Sequence, residues 1–163
     1  MIQIRNGIFE TNSSSVHAIC IAKPRKNSGF EFPTQMDVGL GQYGWEFSVL
    51  NTPSSRASYA YTLAKDIGKA EEVKQCIFDI CCETEVDVHF DVNNPNFSYV
   101  DHAYDAEDFI SDMLKNKRKF KDYLFGTDSR VFTGNDNSDY LGDMGEDVHA
   151  WKSENPSGVI YWK

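Results

Sequence analysis

The sequence predicts an α+β fold, with an antiparallel or mixed sheet of about five or six strands and about four helices packed on it. Two observations predict this class. Several stretches repeat apolar residues at the 3.6-residue helical period, and others alternate or are apolar throughout, as strands are. The 163 residues, 40% of them hydrophobic, suffice to bury a core. We expect a single domain over residues 1–163.

Four segments have the pattern of helices. The first begins at Thr52, whose side chain suits an N-cap, with Pro53 in the first turn and Gly68 at its end. The last ends at Gly126. In each segment the apolar residues form a stripe that faces the core. The predicted helices cover residues 52–66, 69–83, 105–114 and 117–125.

Strands are predicted before, between and after these helices. The Asn6-Gly7 pair favours a two-residue turn, so we expect an N-terminal hairpin. Residues 16–23 are mostly apolar on both alternating faces and stop at Pro24, which predicts a strand covered on both sides. The other predicted strands cover residues 43–49, 85–92, 130–133 and 159–162.

Two segments are expected to be irregular. Residues 30–44 contain Pro33 and three glycines, which predicts a long connection without secondary structure. The strand at 43–49 follows it, and its aromatic stripe, including Trp45, is expected in the core. Residues 134–143 form a polar loop. A calcium loop is excluded there, because Leu141 would stand where an oxygen ligand is required.

A polar segment near the N-terminus contains the candidate ligand-binding residues, which are Asn12, Ser13, Ser14, Ser15 and His17. Backbone N–H groups and hydroxyls in such a loop suit a phosphate or an acidic side chain. The alternative is a turn whose hydroxyls satisfy buried backbone groups at the end of a strand. The sequence leaves both interpretations open.

Ser15 and His17 are also the candidate pair for catalysis. On a strand they face the same side, about 6.5–7 Å apart along the chain. That separation exceeds hydrogen-bond reach of ~3 Å unless the side chains lean together, and no carboxylate can be assigned to orient them. If the fold brings the second polar loop close, Asn135, Asp136 and Asn137 would join the ligand site.

One resemblance to a known family is present. The run from Phe9 to His17, FETNSSSVH, is preceded by Arg5 and Gly7 and resembles the N-terminus of a family of small uncharacterised proteins. These proteins come from phages, plasmids and Gram-positive bacteria. Residues 123–125 and 132–137 resemble the C-terminal half of the same family. The resemblance implies a phage-associated protein in the cytoplasm of a host cell, and it implies no reaction and no catalytic residues.

Charge is unevenly distributed along the chain. The net charge of −9 opposes direct binding to nucleic acid. Residues 79–112 contain ten acids and no Lys or Arg, and residues 128–147 contain six acids with Arg130 alone against them. Between these blocks, residues 115–121 hold five basic side chains. The acidic blocks are either solvated surface or a face that engages a basic partner protein.

Other kinds of chemistry have little support. There is no P-loop, H-E-x-x-H, C-x-x-C or G-x-S-x-G motif. His89 shares a strand face with Glu85, Asp87 and Asp91, but one strand face rarely gathers enough ligands for a cation, so no metal and no cofactor are expected. The four cysteines are expected to be reduced core residues. No signal peptide or membrane span is expected.

Two functional hypotheses follow. The first is a non-enzymatic, acidic, phage-associated interaction protein that binds a host or phage protein with a basic surface, such as a nucleic-acid-processing or defence component. The second is an enzyme or sensor for a nucleotide-like phosphate ligand held by Asn12–Ser15 and His17. The sequence favours the first, because the motifs of common enzyme classes are missing. It does not indicate the oligomeric state.

Overall fold

The central element of the fold is the strand β1 (Ser15–Ile21). The computed structural model describes residues 15–23, 29–93, 95–135 and 141–162. Successive side chains of a strand point to opposite faces. In β1 both sets are buried, apart from the half-buried Val16. The prediction of a strand covered on both sides is therefore confirmed.

The described residues confirm the α+β class. The strands are β1, β2 (Gln35–Gly39), β3 (Gln42–Tyr43), β4 (Ser48–Leu50), β5 (Asp87–Asp91), β6 (Tyr99–Val100), β7 (Arg130–Asn135) and β8 (Val159–Trp162). The helices are α1 (Pro53–Asp66), α2 (Ala70–Glu83), α3 (Glu107–Lys115), α4 (Lys117–Phe125) and α5 (Leu141–Glu154). Short 3-10 turns cover Pro95–Phe97 and Ala103–Ala106.

Four strands form an antiparallel sheet in the order β4-β7-β1-β8. On one face, Ile19 and Ile21 join a large core that includes residues of α1, α2, α3 and α4. On the other face, Ala18 and Cys20 pack with Met144, Val148 and Trp151 of α5 in a smaller cluster. Helices on both faces explain why β1 is apolar on both alternating sets of positions.

Two parallel strand pairs lie apart from this sheet, β2 with β5 and β3 with β6. Met36 and Val38 of β2 are fully buried, and β2 packs on α1. Side chains of α1 bind the backbone at the end of β2 and just after it, since Ser58 accepts from the Gly39 N–H at 3.0 Å and Thr62 accepts from the Gly41 N–H at 3.1 Å. These bonds place the β3–β6 pair, and with it residue 101, beside β1.

The helices follow the sequence pattern closely. All four predicted helices are present, with boundaries within a few residues of those expected. Thr52 caps α1 as predicted, because its hydroxyl accepts from the Ser55 N–H at 3.2 Å. Gly68 follows α1 with a φ of +73°, a conformation that favours glycine.

Several predictions are wrong. Residues 30–44 are not irregular throughout, because they contain β2 and β3. The strand predicted at 43–49 is split into the end of β3 and β4, and Trp45 at the bend is 59% exposed instead of in the core. Val92, at the end of the strand predicted over residues 85–92, lies beyond β5 and is exposed. All four cysteines are free as expected, but Cys82 is exposed.

The helix α5 was not predicted at all. Its first residues, 141–143, were predicted as the end of the polar loop at 134–143, and no element was predicted for the rest of it. Gly142 and Gly145 lower the local helix propensity. Tertiary packing of Met144, Val148 and Trp151 overrides that weak local preference. The predicted N-terminal hairpin lies outside the described residues.

A buried cation joins the main elements of the large core. Arg56 of α1 is fully buried. One terminal nitrogen donates to the carbonyls of Asn51 at 2.7 Å and Ser129 at 2.6 Å. The other donates to the carbonyls of Leu124 at 2.6 Å and Gly126 at 3.2 Å. Burial lowers the pKa of Arg56 to about 10, so the group stays charged at neutral pH. The guanidinium thus ties α1 to the end of α4 and the start of β7.

We predict that Arg56→Ala destabilises the protein by on the order of 3–5 kcal/mol, because several buried carbonyls would lose their donor at once and each unpaired acceptor costs about 1–3 kcal/mol. Arg56→Lys should recover only part of this loss, since one ammonium cannot replace a planar fork with donors on both sides. Urea unfolding measures both. The control is Lys69→Ala at an exposed position, expected within about 0.5 kcal/mol of the wild type. An equally small effect of Arg56→Ala would contradict the role of this cluster.

Candidate functional site

Ser15 and His17 lie at the start of β1, on the same face as Ile19 and Ile21. Only 5% of Ser15 and 2% of His17 is exposed. The shared face follows from the two-residue period of a strand, as expected. Both side chains are covered by other segments of the chain and do not line an open cleft.

The imidazole of His17 is held by two hydrogen bonds. Its Nε2 lies 2.9 Å from the backbone carbonyl oxygen of Asp101, which only accepts, so Nε2 carries the proton. Its Nδ1 then accepts from the hydroxyl of Thr133, also at 2.9 Å. Burial lowers the pKa of His17, more than the neighbouring carbonyl and carboxylate of Asp101 raise it. His17 is therefore neutral at pH 7, in one fixed tautomer.

The hydroxyl of Ser15 has different partners. Its Oγ lies 2.5 Å from the Asp101 carboxylate and 3.2 Å from the Gly44 carbonyl. Gly44 has a φ of +110°, and a Cβ there would stand 2.8 Å from Ser15 Oγ and 2.9 Å from Asp101 Cβ. Only glycine fits at position 44, because a side chain there would collide with Ser15 and Asp101. Asp101 thus binds Ser15 through its side chain and His17 through its backbone.

Ser15 and His17 do not form a nucleophile–base pair, because each side chain binds other groups. Both ring nitrogens of His17 are occupied by groups other than Ser15, and the structure has no hydrogen bond between Ser15 and His17. A nucleophile needs a base within hydrogen-bond reach and access for a substrate. The arrangement instead locks the segment around residue 101 and the turn at Gly44 onto β1. The catalytic role of Ser15 and His17 stays a prediction without geometric support.

The described parts of the two predicted polar loops are neighbours. In the β1–β7 ladder, Ser15 lies directly opposite Asn135, and His17 lies opposite Thr133. Asn135 is 7% exposed. Ser15 and Asn135 therefore lie at the same end of the sheet. Asn12, Ser13, Ser14, Asp136 and Asn137 lie outside the described residues, so the ligand site predicted there stays a prediction.

Sequence reasoning missed three members of this cluster. Asp101 lies in none of the predicted elements, and Thr133 was predicted only as the last residue of the strand at 130–133. Tyr59 was expected in the stripe of α1, but its ring lies 5.8 Å from the His17 ring and 5.2 Å from the Tyr43 ring. The buried Tyr59 hydroxyl has no hydrogen-bond partner among the described residues. Spacing along the chain carries no signal for contacts between residues so far apart.

The acidic strand predicted around His89 is present as β5. The Nδ1 atom of His89 lies 3.9 Å from an Asp37 oxygen on β2, and both side chains are 71% exposed. Over the described ranges, no three His, Cys, Asp or Glu side chains converge as metal ligands.

Comparison with protein-family models, curated proteins and solved structures gives no match. Within the part of the chain that the structure covers, no helix combines the length and apolar composition needed to cross a membrane.

We predict that Thr133→Val destabilises the protein by about 1–3 kcal/mol, because the buried Nδ1 of His17 loses its donor while the side-chain shape is kept. Thr127→Val is the matched control, since the Thr127 hydroxyl donates to the Gly29 carbonyl at an exposed position. Urea unfolding should show a change of less than about 0.5 kcal/mol there. Equal effects of the two substitutions would argue against a buried His17–Thr133 bond.

We also predict that stability falls as the pH drops below the ordinary His pKa of 6.5. Because the folded-state pKa of His17 is lower, the unfolded chain binds the proton more readily in this range. The stabilisation of the folded state by neutral His17 is complete above pH 6.5, and it is lost as the pH falls toward the folded-state pKa of His17. Urea midpoints between about pH 7.5 and 5.5 measure it, and His17→Asn should show a shallower pH dependence than the wild type. Parallel pH curves for the two proteins would contradict the prediction.

Proposed function

We propose that this protein is a non-enzymatic interaction protein that uses an acidic surface to bind a basic partner protein of a phage or its host. The observation that carries the proposal is the outer face of the β2–β5 pair. We call this surface the acidic face, defined by Asp37, Asp87, His89 and Asp91. All four side chains are exposed.

The register of the two strands produces the acidic face. Asp37 pairs with His89, and Asp87 and Asp91 lie two residues to either side of His89 on the same strand. Side chains two apart on a strand share one side, about 6.5–7 Å from each other. Inward-facing Met36 and Val38 are buried, so the strands cannot turn their acids inward. The result is a fixed row of carboxylates presented to the surroundings.

Few positive charges neutralise this surface. No Lys or Arg lies within ion-pair distance of Asp37, Asp87 or Asp91 among the described residues. On the adjoining helix α2, the Lys74 ammonium lies over the Phe90 ring at 5.5 Å. A partner with clustered Lys or Arg would supply the missing counter-charges, and association would be steered by the field.

The strand pairing adds a second, independent argument. Parallel strands occur almost always with both faces covered, because crossover connections place helices on both sides. Here α1 covers the inner face of β2, and the outer residues of both strands remain exposed. A partner protein on the acidic face would complete the covering that such pairs usually have. Charge complementarity makes a basic partner the best fit.

The setting of that partner comes from the resemblance of residues 9–17 to phage-associated proteins. A protein that processes nucleic acid, defence components of this kind included, holds the phosphates in a groove lined by Lys and Arg. Carboxylates on a rigid strand pair suit such a groove. The covered positions of Ser15 and His17 also favour binding over catalysis, because a substrate has no direct access to them.

The proposal predicts that D37N/D87N/D91N weakens partner binding on the order of tenfold, since three exposed charge contacts at about 0.2–1 kcal/mol each would be lost. The tagged wild-type protein is used to recover a partner from host and phage-infected lysates at low salt. The recovered protein is then purified and its Kd measured against both versions by calorimetry. Higher salt should weaken the wild-type complex and affect the variant less.

The matched control is E146Q/D147N/E154Q, which removes the same charge from exposed positions of α5 on the opposite side of the main sheet. It should bind the partner as the wild type does. An equal loss with the control would show a general effect of net charge instead of a defined face. A partner that binds D37N/D87N/D91N at full strength would refute the proposal.

A further inference from the structure

We propose that a positively charged cleft beside α4 binds a small phosphate-bearing molecule of the nucleotide type. We call it the basic cleft, defined by Ile21, Lys23, Phe30, Arg118, Lys121 and Asp122. The proposal is independent of the acidic face. It also differs in place from the polar loops at Ser15 and Asn135.

The size of the basic cleft fits a small molecule. Its volume is about 900 Å³, and ligand pockets for small molecules span roughly 300–1,000 Å³. The apolar side chains of Ile21, Phe30 and Val159 line it together with the charged groups. Apolar surface beside a few convergent polar groups is the usual composition of such a site.

Three cations at the cleft have no carboxylate partner within ion-pair distance in the described chain, namely Lys23, Arg118 and Lys121. Their neighbours on α4 differ in this respect. Lys117 binds Glu83 at 2.6 Å. Lys119 binds Asp112 at 3.3 Å. Lys119 also lines the cleft but is paired, so the positive charge there that no ion pair offsets comes from Lys23, Arg118 and Lys121.

The position of these charges on α4 is unfavourable for the helix itself. Lys117, Arg118 and Lys119 occupy the first turn, and the last turn has no basic residue. Cations stabilise the C-terminal end of a helix and destabilise its N-terminal end, where the backbone dipole is positive. Helix stability therefore does not explain this placement. An anion in the cleft would offset both the side-chain charges and the dipole.

Asp122 adds a specific polar group to the cleft. It is 8% exposed. Burial raises the pKa of its carboxyl, and the charges of Arg118, Lys121 and Lys23 oppose that rise. The same three cations thus surround one carboxylate, and the cleft keeps a net positive charge. A carboxylate in this position accepts hydrogen bonds from hydroxyl or amino groups, which a sugar or a base supplies.

The aromatic part of the cleft suits an organic group joined to the phosphate. The Lys121 ammonium lies 5.2 Å from the centre of the Phe30 ring and 5.3 Å from that of Phe32. Cation–π contacts hold Lys121 near these rings. Phosphate contacts through Lys and Arg, apolar contacts at Phe30 and an acceptor at Asp122 together match a nucleotide better than inorganic phosphate alone.

A small ligand fits better than a nucleic-acid chain. The whole protein carries −9, and Asp112, exposed on α3, makes an ion pair with Lys119 of the cleft. A polyanion would have to extend over this negative surface, where repulsion opposes binding. A mononucleotide can place its phosphate among the three cations without leaving the cleft.

The test uses adenosine monophosphate, inorganic phosphate and adenosine as probes on the full-length protein. Amide chemical-shift mapping should place the monophosphate at Lys23, Phe30 and residues 118–122. The monophosphate should bind more tightly than phosphate, and adenosine should bind weakly. R118Q and K121Q should each raise the Kd about tenfold, the effect of losing one charge-assisted contact. D122N should bring the Kd for adenosine monophosphate closer to the Kd for inorganic phosphate, because only the nucleotide has groups that donate to this carboxylate.

The control K69Q removes an exposed charge at the start of α2 and should leave binding unchanged. Thermal unfolding confirms that each variant is folded before titration. Absence of shifts at the cleft with all three probes would overturn the proposal, as would an equal effect of K69Q and K121Q. Tighter binding of a short single-stranded oligonucleotide than of the monophosphate would also overturn it in favour of nucleic acid. Shifts confined to Ser15 and Asn135 would move the ligand to the polar loops.

Discussion

The buried guanidinium of Arg56 is the interaction on which the other parts of the structure depend. It donates to four backbone carbonyls that come from the start of α1, the end of α4 and the turn before β7. Around it, the Tyr123 hydroxyl donates to the Arg56 carbonyl at 2.7 Å, and Ser129 Oγ bridges the Ala22 N–H and the Asp122 carbonyl. The two terminal nitrogens of Arg56 are satisfied by these carbonyls, while its buried Nε has no hydrogen-bond partner among the described residues. A buried charge is costly unless it is hydrogen-bonded, so the positions of the four carbonyls are narrowly constrained. The constraint sets where β7 enters the sheet.

The position of β7 in turn decides what surrounds β1. Because β7 runs antiparallel to β1, Thr133 and Asn135 stand opposite His17 and Ser15. The β3–β6 pair, held through α1, brings Asp101 to the same place. The resulting cluster is covered and fully bonded at His17, which favours a structural role. On the other side of the large core, α1 packs against both β2 and α4. These two elements carry the acidic face and the basic cleft, surfaces of opposite sign.

Much of the fold could be predicted from the sequence because its helices have strong local signals. The cap at Thr52, the apolar period of α2 and the acids in the first turn of α3 are all visible within one short window. Strands β2 and β3 were missed because each is short and its partner lies far along the chain. Helix α5 was missed because its glycines lower the local propensity, while Trp151 and Met144 stabilise it only through the sheet they cover.

The sequence by itself determined the sign of the charge blocks, the burial of β1 on both faces and the shared side of Ser15 and His17. Each of these depends on composition or on the period of one element. Only the tertiary structure decided that His17 binds Asp101, 84 residues away, and Thr133, 116 residues away. It also decided that Lys23 joins Arg118 and Lys121 in one cleft. The physical reason is that strand pairing and core packing bring distant residues together, and local periodicity carries no information about which distant segments meet.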